Sequence, residues 1–215
     1  MCKDVSFLSK LPEREVYKED NRSRVWLVEH EGIKYVIKRF EYARWRQIIG
    51  WLVHLHSGKI EVRKSKQLAA SDLPVEKIIA SKMIGGRAHL VSLYLGKQIF
   101  EAFNNQQVVG YQDRTKLIES ISHVMRDLID KGYVFRDCKL SNMILRDEDH
   151  SVCLIDVGSF RRFHSNRRHL NMLRILDDTA KRANISRAER LRAARAMHLS
   201  SKEIRMLVIN PKNKC

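Results

Sequence analysis

Residues 135 to 142 read Phe-Arg-Asp-Cys-Lys-Leu-Ser-Asn, and Asp156-Val157-Gly158 follows 14 residues after Asn142. The segments around these two stretches restrict the fold. Leu117, Ile118, Ile121, Val124, Met125, Leu128 and Ile129 recur at helical spacing, which predicts an amphipathic helix over Thr115 to Asp130. Lys131-Gly132 ends it, with glycine in its favoured place past a helix C-terminus. Tyr133 and Val134 lead into Arg136-Asp137. Met143 to Leu145 and Val152 to Ile155 read as two short strands joined by the polar turn 146–151. The order is helix, polar loop with Asp137 and Asn142, hairpin, then Asp-x-Gly.

That order has the form of a kinase catalytic loop, H-R-D-x-x-x-x-N, followed by its metal loop, D-F-G. Phosphoryl transfer needs a carboxylate to orient the attacking hydroxyl and oxygen ligands to hold magnesium on the β- and γ-phosphates. Asp137 stands at the catalytic position, and Asn142 and Asp156 at the metal positions. Lys139, two residues after Asp137, is placed to neutralise charge on the transferred phosphoryl group. Phe135 replaces the usual His, whose role is mostly packing. Val157 replaces Phe with less bulk, which weakens any in/out switch of the metal loop. Cys138 adjoins Asp137, but a thiol has no role in this chemistry and reads as packing.

The N-terminal half then supplies the nucleotide clamp. Tyr35-Val36-Ile37-Lys38 resembles V-A-I-K, a strand ending in the lysine that reaches the α- and β-phosphates. Val25 to Val28 is a second strand and His30-Glu31-Gly32 the turn between them. Lys34 competes with Lys38 but lies nearer the turn. Glu61, on the first turns of the helix that follows, is the acid expected to hold Lys38 toward the phosphates. No G-x-G-x-x-G is present; the phosphate-covering turn would be Asp20 to Ser23.

At 215 residues and 44% hydrophobic content, the chain makes one globular unit or two small lobes. The expected class is α+β: a protein-kinase-like two-lobed fold with a small antiparallel-sheet N-lobe (residues 1–97, hinge near 92–97) and a minimal, mostly helical C-lobe (98–215). No span approaches the ~20 apolar residues that cross a bilayer, and the N-terminus has no signal-peptide core. Cys2, Cys138, Cys153 and Cys215 show no C-x-x-C spacing, as in a cytosolic chain with reduced thiols.

The net charge of +16 is concentrated. Lys34 to Leu68 carries nine Lys/Arg against Glu41 and Glu61, and Arg161 to Cys215 carries fifteen against four acids. Such blocks attract polyanions: nucleic acid, anionic head groups or a phosphorylated substrate. The last block is expected to be ordered, because Ser186 with Glu189 and Ser200 with Glu203 form two capping-box patterns. Only 57 residues follow Gly158 and none form Ala-Pro-Glu, so the expected C-lobe is minimal, with no obvious platform for a peptide substrate. Between Lys38 and Glu61, residues Trp45, Ile48, Ile49, Leu52 and Val53 make one helical stripe. The plainer reading packs it on the N-terminal half; the other lays it, with Arg44, Arg46 and Trp51, in a membrane interface.

These residues together resemble the Kdo/WaaP-type lipopolysaccharide-core kinases. Leu73-Pro74-Val75 after the Glu61 helix is similar to the family's helix-turn-strand. Leu154 to Arg162 with Arg168-His-Leu-Asn-Met-Leu-Arg174 is similar to its metal loop and the helix after it, and Ser186 to Arg192 to its closing helix. The resemblance implies ATP and Mg2+ as cofactors and transfer to a Kdo or heptose hydroxyl. The implied acceptor is the lipid A–core glycolipid, reached from the cytoplasmic face of the inner membrane by peripheral attachment, with no nucleic acid expected. The alternatives are a kinase of this fold acting on a protein or a soluble small molecule, a basic nucleic-acid-binding module, and a pseudokinase scaffold. Intact Lys38, Asp137, Asn142 and Asp156 oppose the last two.

Overall fold

The computed structural model describes residues 5–104, 111–163 and 165–209; Cys2 and Cys215 lie outside them. The architecture is mixed α and β, and the chain divides into two compact units. One comprises Met1–Ser71 with Val75–Tyr94, the other Asp72–Pro74 with Leu95–Cys215. The division falls at Tyr94/Leu95, slightly before the expected end at residue 97. Residues 72–74 go with the second unit because Pro74 O accepts from Leu154 N (2.7 Å) and Asp72 O from Lys131 Nζ (3.2 Å). Among the described residues, no helix is long and apolar enough to cross a membrane.

The first unit runs α1 (Val5–Leu8), β1 (Glu15–Glu19), β2 (Ser23–His30), β3 (Ile33–Phe40), α2 (Arg44–Leu52), α3 (Ser57–Ala69), β4 (Ile78–Ile84) and β5 (Arg87–Leu93). The five strands form one antiparallel sheet in the order β1-β2-β3-β5-β4. β2 and β3 are the expected hairpin. Glu31 and Gly32, both at positive φ, are its two-residue turn, with His30 opposite Ile33. Alternation sorts β3 by face. Tyr35 and Ile37 join Val5, Leu8, Trp26, Val28 and Val91 in one cluster, and Phe40 joins Ala88 and Leu90 in another, with Val62 of α3 packed on it. Lys38 has the parity of Phe40, so the strand register turns it to the α3 side.

The second unit runs β6 (Gly96–Gln98), α4 (Ile99–Asn104), α5 (Tyr111–Asp130), β7 (Tyr133–Phe135), β8 (Met143–Arg146), β9 (Val152–Leu154), β10 (Phe160–Arg162), α6 (Asn166–Arg182), α7 (Arg187–Ala196) and α8 (Ser201–Ile204). Leu117, Ile118, Ile121, Met125 and Leu128 bury the apolar stripe of α5, as their spacing predicts. β8 and β9 are the expected hairpin, and β6 adds to its β8 edge. Gly96 is required there: at φ 150°, a Cβ would meet Leu145 O at 2.1 Å.

The closing helices are ordered as their caps predict. Both capping boxes form, Ser186 with Glu189 and Ser200 with Glu203. Glu189 also ties α7 to α5, accepting from Arg114 Nε at 2.8 Å. Burial pushes the Glu189 carboxyl up, but bonds from Arg114 and Ser186 outweigh this and bring its pKa down to about 2.

Candidate functional site

In the first unit, Lys38 Nζ donates to both oxygens of Glu61, at 3.0 and 2.9 Å. The pair is largely enclosed, with side-chain exposures of 19% for Lys38 and 4% for Glu61. Three local features position it. Lys38 is held mid-sheet, opposite Val25 on one side and Leu90 on the other. The start of α3 is capped by His56, whose Nδ1 accepts from Gly58 N at 2.9 Å, and burial lowers the pKa of that ring so that it stays a neutral acceptor. Ser65 Oγ then donates to Glu76 O at 2.6 Å, fixing α3 against the start of β4. Lys34 is exposed near the turn and lacks this framing.

Removing one member of such a pair leaves a buried charge uncompensated. Lys38→Ala should therefore destabilise the protein by on the order of 2 kcal/mol, a value below that of a fully buried pair because Lys38 retains some contact with water. Lys38→Ala/Glu61→Gln should cost little more than Lys38→Ala alone, since the two act as a unit. Chemical denaturation of the four proteins in the cycle measures this, and strictly additive losses would show that the pair is not coupled.

The turn between β1 and β2 differs from a phosphate-covering loop. Asp20 Oδ1 accepts from Arg22 N (2.9 Å) and Ser23 N (2.8 Å), so the turn closes on its own carboxylate. These two amide bonds, the first above all from Ser23, lower the Asp20 pKa to about 2. The amides that a phosphate would need are occupied by a negative charge.

In the second unit, β7 and β10 pair antiparallel, Phe135 opposite Phe160 and Tyr133 opposite Arg162. This ladder joins the strand before Asp137 to the strand after Asp156. Phe135 and Phe160 are fully buried and stack at 4.2 Å between ring centres, 20° from parallel. The aromatic at 135 thus packs against Phe160; Val157 of the metal loop is itself fully buried. From this anchor the chain turns through Asp137, whose N–H reaches Ser159 Oγ at 3.4 Å. Asn142 Nδ2 donates to Asp137 O (2.8 Å) and Asp137 Oδ2 (3.2 Å), while Asn142 O accepts from Ile155 N (3.0 Å). The loop around Asp137 and Asn142 therefore lies directly against the residue preceding Asp156.

Asp156 is half-buried and adopts the left-handed conformation (φ 56°, ψ 45°) before a single 3-10 turn, Val157–Ser159. Only a few per cent of non-glycine residues do so, aspartate among the more tolerant. Such strain persists where the surroundings impose it, and it clusters at functional sites. Lys139 Nζ lies 2.6 Å from Asp137 Oδ1, both side chains nearly half exposed. A pair so exposed is worth no more than ~1 kcal/mol, so Lys139 can leave Asp137 at little cost. Cys138 is fully buried, its Sγ 3.5 Å from Met125 Sδ, and burial followed by the neighbouring Asp137 charge pushes its thiol pKa far up. It is a packing residue and no nucleophile at neutral pH.

The residues expected to hold magnesium are tested by this geometry. Among the described residues, no three of His, Cys, Asp and Glu cluster into a self-sufficient metal cage. Magnesium does not need one: it is commonly held by one or two carboxylates together with water and substrate phosphates. Asn142 spends its Nδ2 on Asp137, which leaves Oδ1 as the atom it can offer a cation. The carboxylate of Asp156 and the amide oxygen of Asn142 are hard oxygen donors, the type that magnesium takes.

No protein-family model and no curated protein matches the chain.

Sequence reasoning missed two contributors. Ser159 supports the Asp137 amide, but it is one serine in a polar turn and nothing in its spacing marks it. The three-residue strands β7 and β10 are too short for a period-2 signal, although Tyr133-Val-Phe and Phe160 are the aromatic and β-branched types that strands favour.

Proposed function

We propose that this protein is an ATP-dependent phosphotransferase of protein-kinase-like fold that phosphorylates a sugar hydroxyl, Kdo or heptose, of the lipopolysaccharide inner core. The observation that supports it best is the tie between the two loops: Asn142 donates through its side chain to Asp137 and accepts at its carbonyl from Ile155 N, so the candidate base and one candidate metal ligand are bonded together and the other, Asp156, is the next residue after their partner Ile155.

In this reading Asp137 orients the acceptor hydroxyl and takes its proton as the oxygen bonds to the γ-phosphorus and the bond from phosphorus to the β,γ-bridging oxygen breaks, releasing ADP. Lys139 moves from Asp137 to the charge on the transferring group. Lys38, aligned by Glu61, binds the α- and β-phosphates. Asp156 and Asn142 would hold magnesium, which when bound neutralises charge on the β- and γ-phosphate oxygens. The fifteen Lys/Arg between Arg161 and Cys215, against four acids, suit an acceptor that already carries phosphates.

The test is transfer of labelled γ-phosphate from ATP, with magnesium, to purified inner-core glycolipid, to free Kdo and heptose, and to a generic protein substrate. The expected product is glycolipid heavier by one phosphate, its position on Kdo or heptose read by mass spectrometry. Unmodified glycolipid beside a labelled protein or a labelled free sugar would overturn the choice of acceptor.

A further inference from the structure

α2 is anchored by a buried polar residue, with Trp51 packed on the Phe40 cluster, and turns the Trp45–Leu52 stripe to solvent, the reverse of the packed helix that the stripe first suggests. Gln47, only 1% exposed, is its anchor: Nε2 donates to Phe40 O (3.0 Å) and Tyr42 O (2.7 Å), and Oε1 accepts from Ala88 N (2.9 Å). A buried amide with three partners fixes the rotation of the helix about its axis. Trp45, Ile48, Ile49, Leu52, Val53 and Leu55 are consequently left outside, from 45% exposed at Ile48 to 71% at Leu52 and Leu55. They are six of the eleven large hydrophobic residues exposed among the described residues, all within one stretch of eleven. Scattered exposed apolar residues need no explanation, but a contiguous patch marks a docking surface.

The surroundings of this patch are cationic. Arg44 and Arg46 flank Trp45 on α2, both exposed. Lys59, Arg63 and Lys66 follow at i, i+4 and i+7 along one face of α3 and line a shallow hollow with His54, Val62 and Ser81. No carboxylate offsets them: Glu41 is held by Arg39 and Arg87, and Glu61 by Lys38. Arg44, Arg46, Lys59, Arg63 and Lys66 form no ion pair among the described residues.

We infer that α2, the segment 53–56 and the outward face of α3 form a docking surface for an anionic lipid bilayer, with the apolar residues inserted at the head-group boundary and the cations on lipid phosphates. Each half of the surface excludes another occupant. Nucleic acid would satisfy the cations but leave six apolar side chains in water. A second copy would cover the apolar side chains but oppose one cationic rim to another. An anionic bilayer satisfies both at once, and tryptophan with leucine and isoleucine opposite arginine and lysine is the composition of helices that lie in that boundary. The inference does not depend on phosphate transfer and would stand if the acceptor or the reaction were different.

The experiment is co-sedimentation of the full-length protein with phosphatidylcholine vesicles and with vesicles containing phosphatidylglycerol, at about 0.05 M and about 0.5 M salt, where screening differs severalfold. Two variants run alongside: Trp45→Ser/Leu52→Ser/Leu55→Ser and Arg63→Glu/Lys66→Glu. All five side chains are exposed, so melting temperatures should stay near wild type. Wild type is expected to sediment with the anionic vesicles at low salt; the charge variant should be weakened by at least about tenfold, the scale set by roughly 1 kcal/mol per basic residue, and the apolar variant should be weakened as well. A salt-resistant remainder should vanish with the apolar variant. No preference for anionic vesicles overturns the inference. So does salt-sensitive binding that ignores the apolar substitutions, which would leave only a polyanion-binding rim. A wild-type dimer in vesicle-free solution that the apolar variant dissolves would assign the face to a second copy and equally overturn it.

Discussion

Asp137→Ala is expected to lower phosphate transfer by at least ~10²-fold, the scale of a positioned general base, while leaving the fold and ATP affinity nearly unchanged. The side chain is 44% exposed and sits outside the packed core. Removing it costs Asn142 its longer bond, at 3.2 Å, but not the 2.8 Å bond to the backbone carbonyl of the same residue, so the loop keeps its main support. Lys139 loses an exposed partner worth little. Asp137→Asn sharpens the test, since an amide keeps the shape and one acceptor oxygen but cannot take the proton. Both variants should be comparably slow in single-turnover transfer. Turnover within a few-fold of wild type would remove Asp137 from the catalytic role.

How much of this was legible without coordinates depended on how local each cause is. α5 could be read because seven apolar residues keep one face over four turns, and Gly132 closes it at φ 70° with its N–H on Ile129 O. The capping boxes are four-residue motifs, Ser186 to Glu189 and Ser200 to Glu203, whose partners are written close beside each other. Lys38 and Glu61 lie 23 residues apart, yet a lysine late in a strand and an acid early in the next helix are a recognisable pair once the sheet is assumed. The hairpin β8–β9 follows from two apolar runs about a polar turn.

The parts that escaped depend on distant backbone groups. The stripe of α2 looks the same whether it faces the sheet or the solvent. Three hydrogen bonds at one glutamine decide it, two that it donates to the end of β3 and its continuation and one that it accepts from Ala88 N, 41 residues on. Residues 72–74 belong with the second unit because Pro74 O finds the Leu154 amide, 80 residues away. Asp20 spells a turn in sequence, but only its geometry shows the carboxylate on the very amides that a phosphate would use. The left-handed Asp156 has no sequence mark at all, since aspartate tolerates that conformation and most copies do not adopt it.

The central claim is that Asp156 and Asn142 hold magnesium for a bound nucleotide, and the direct measurement is the thermal shift produced by ATP with and without magnesium, in wild type and in Asp156→Asn. The substitution removes one negative charge and keeps the side-chain shape and an oxygen, so the unliganded protein should remain folded. Wild type is expected to gain stability from ATP mainly when magnesium is present, because a ligand stabilises the folded state in proportion to its binding. Asp156→Asn should lose that magnesium-dependent increment and all detectable transfer. A shift of equal size with and without magnesium, in both proteins, would contradict the metal-site assignment and with it the phosphotransferase reading.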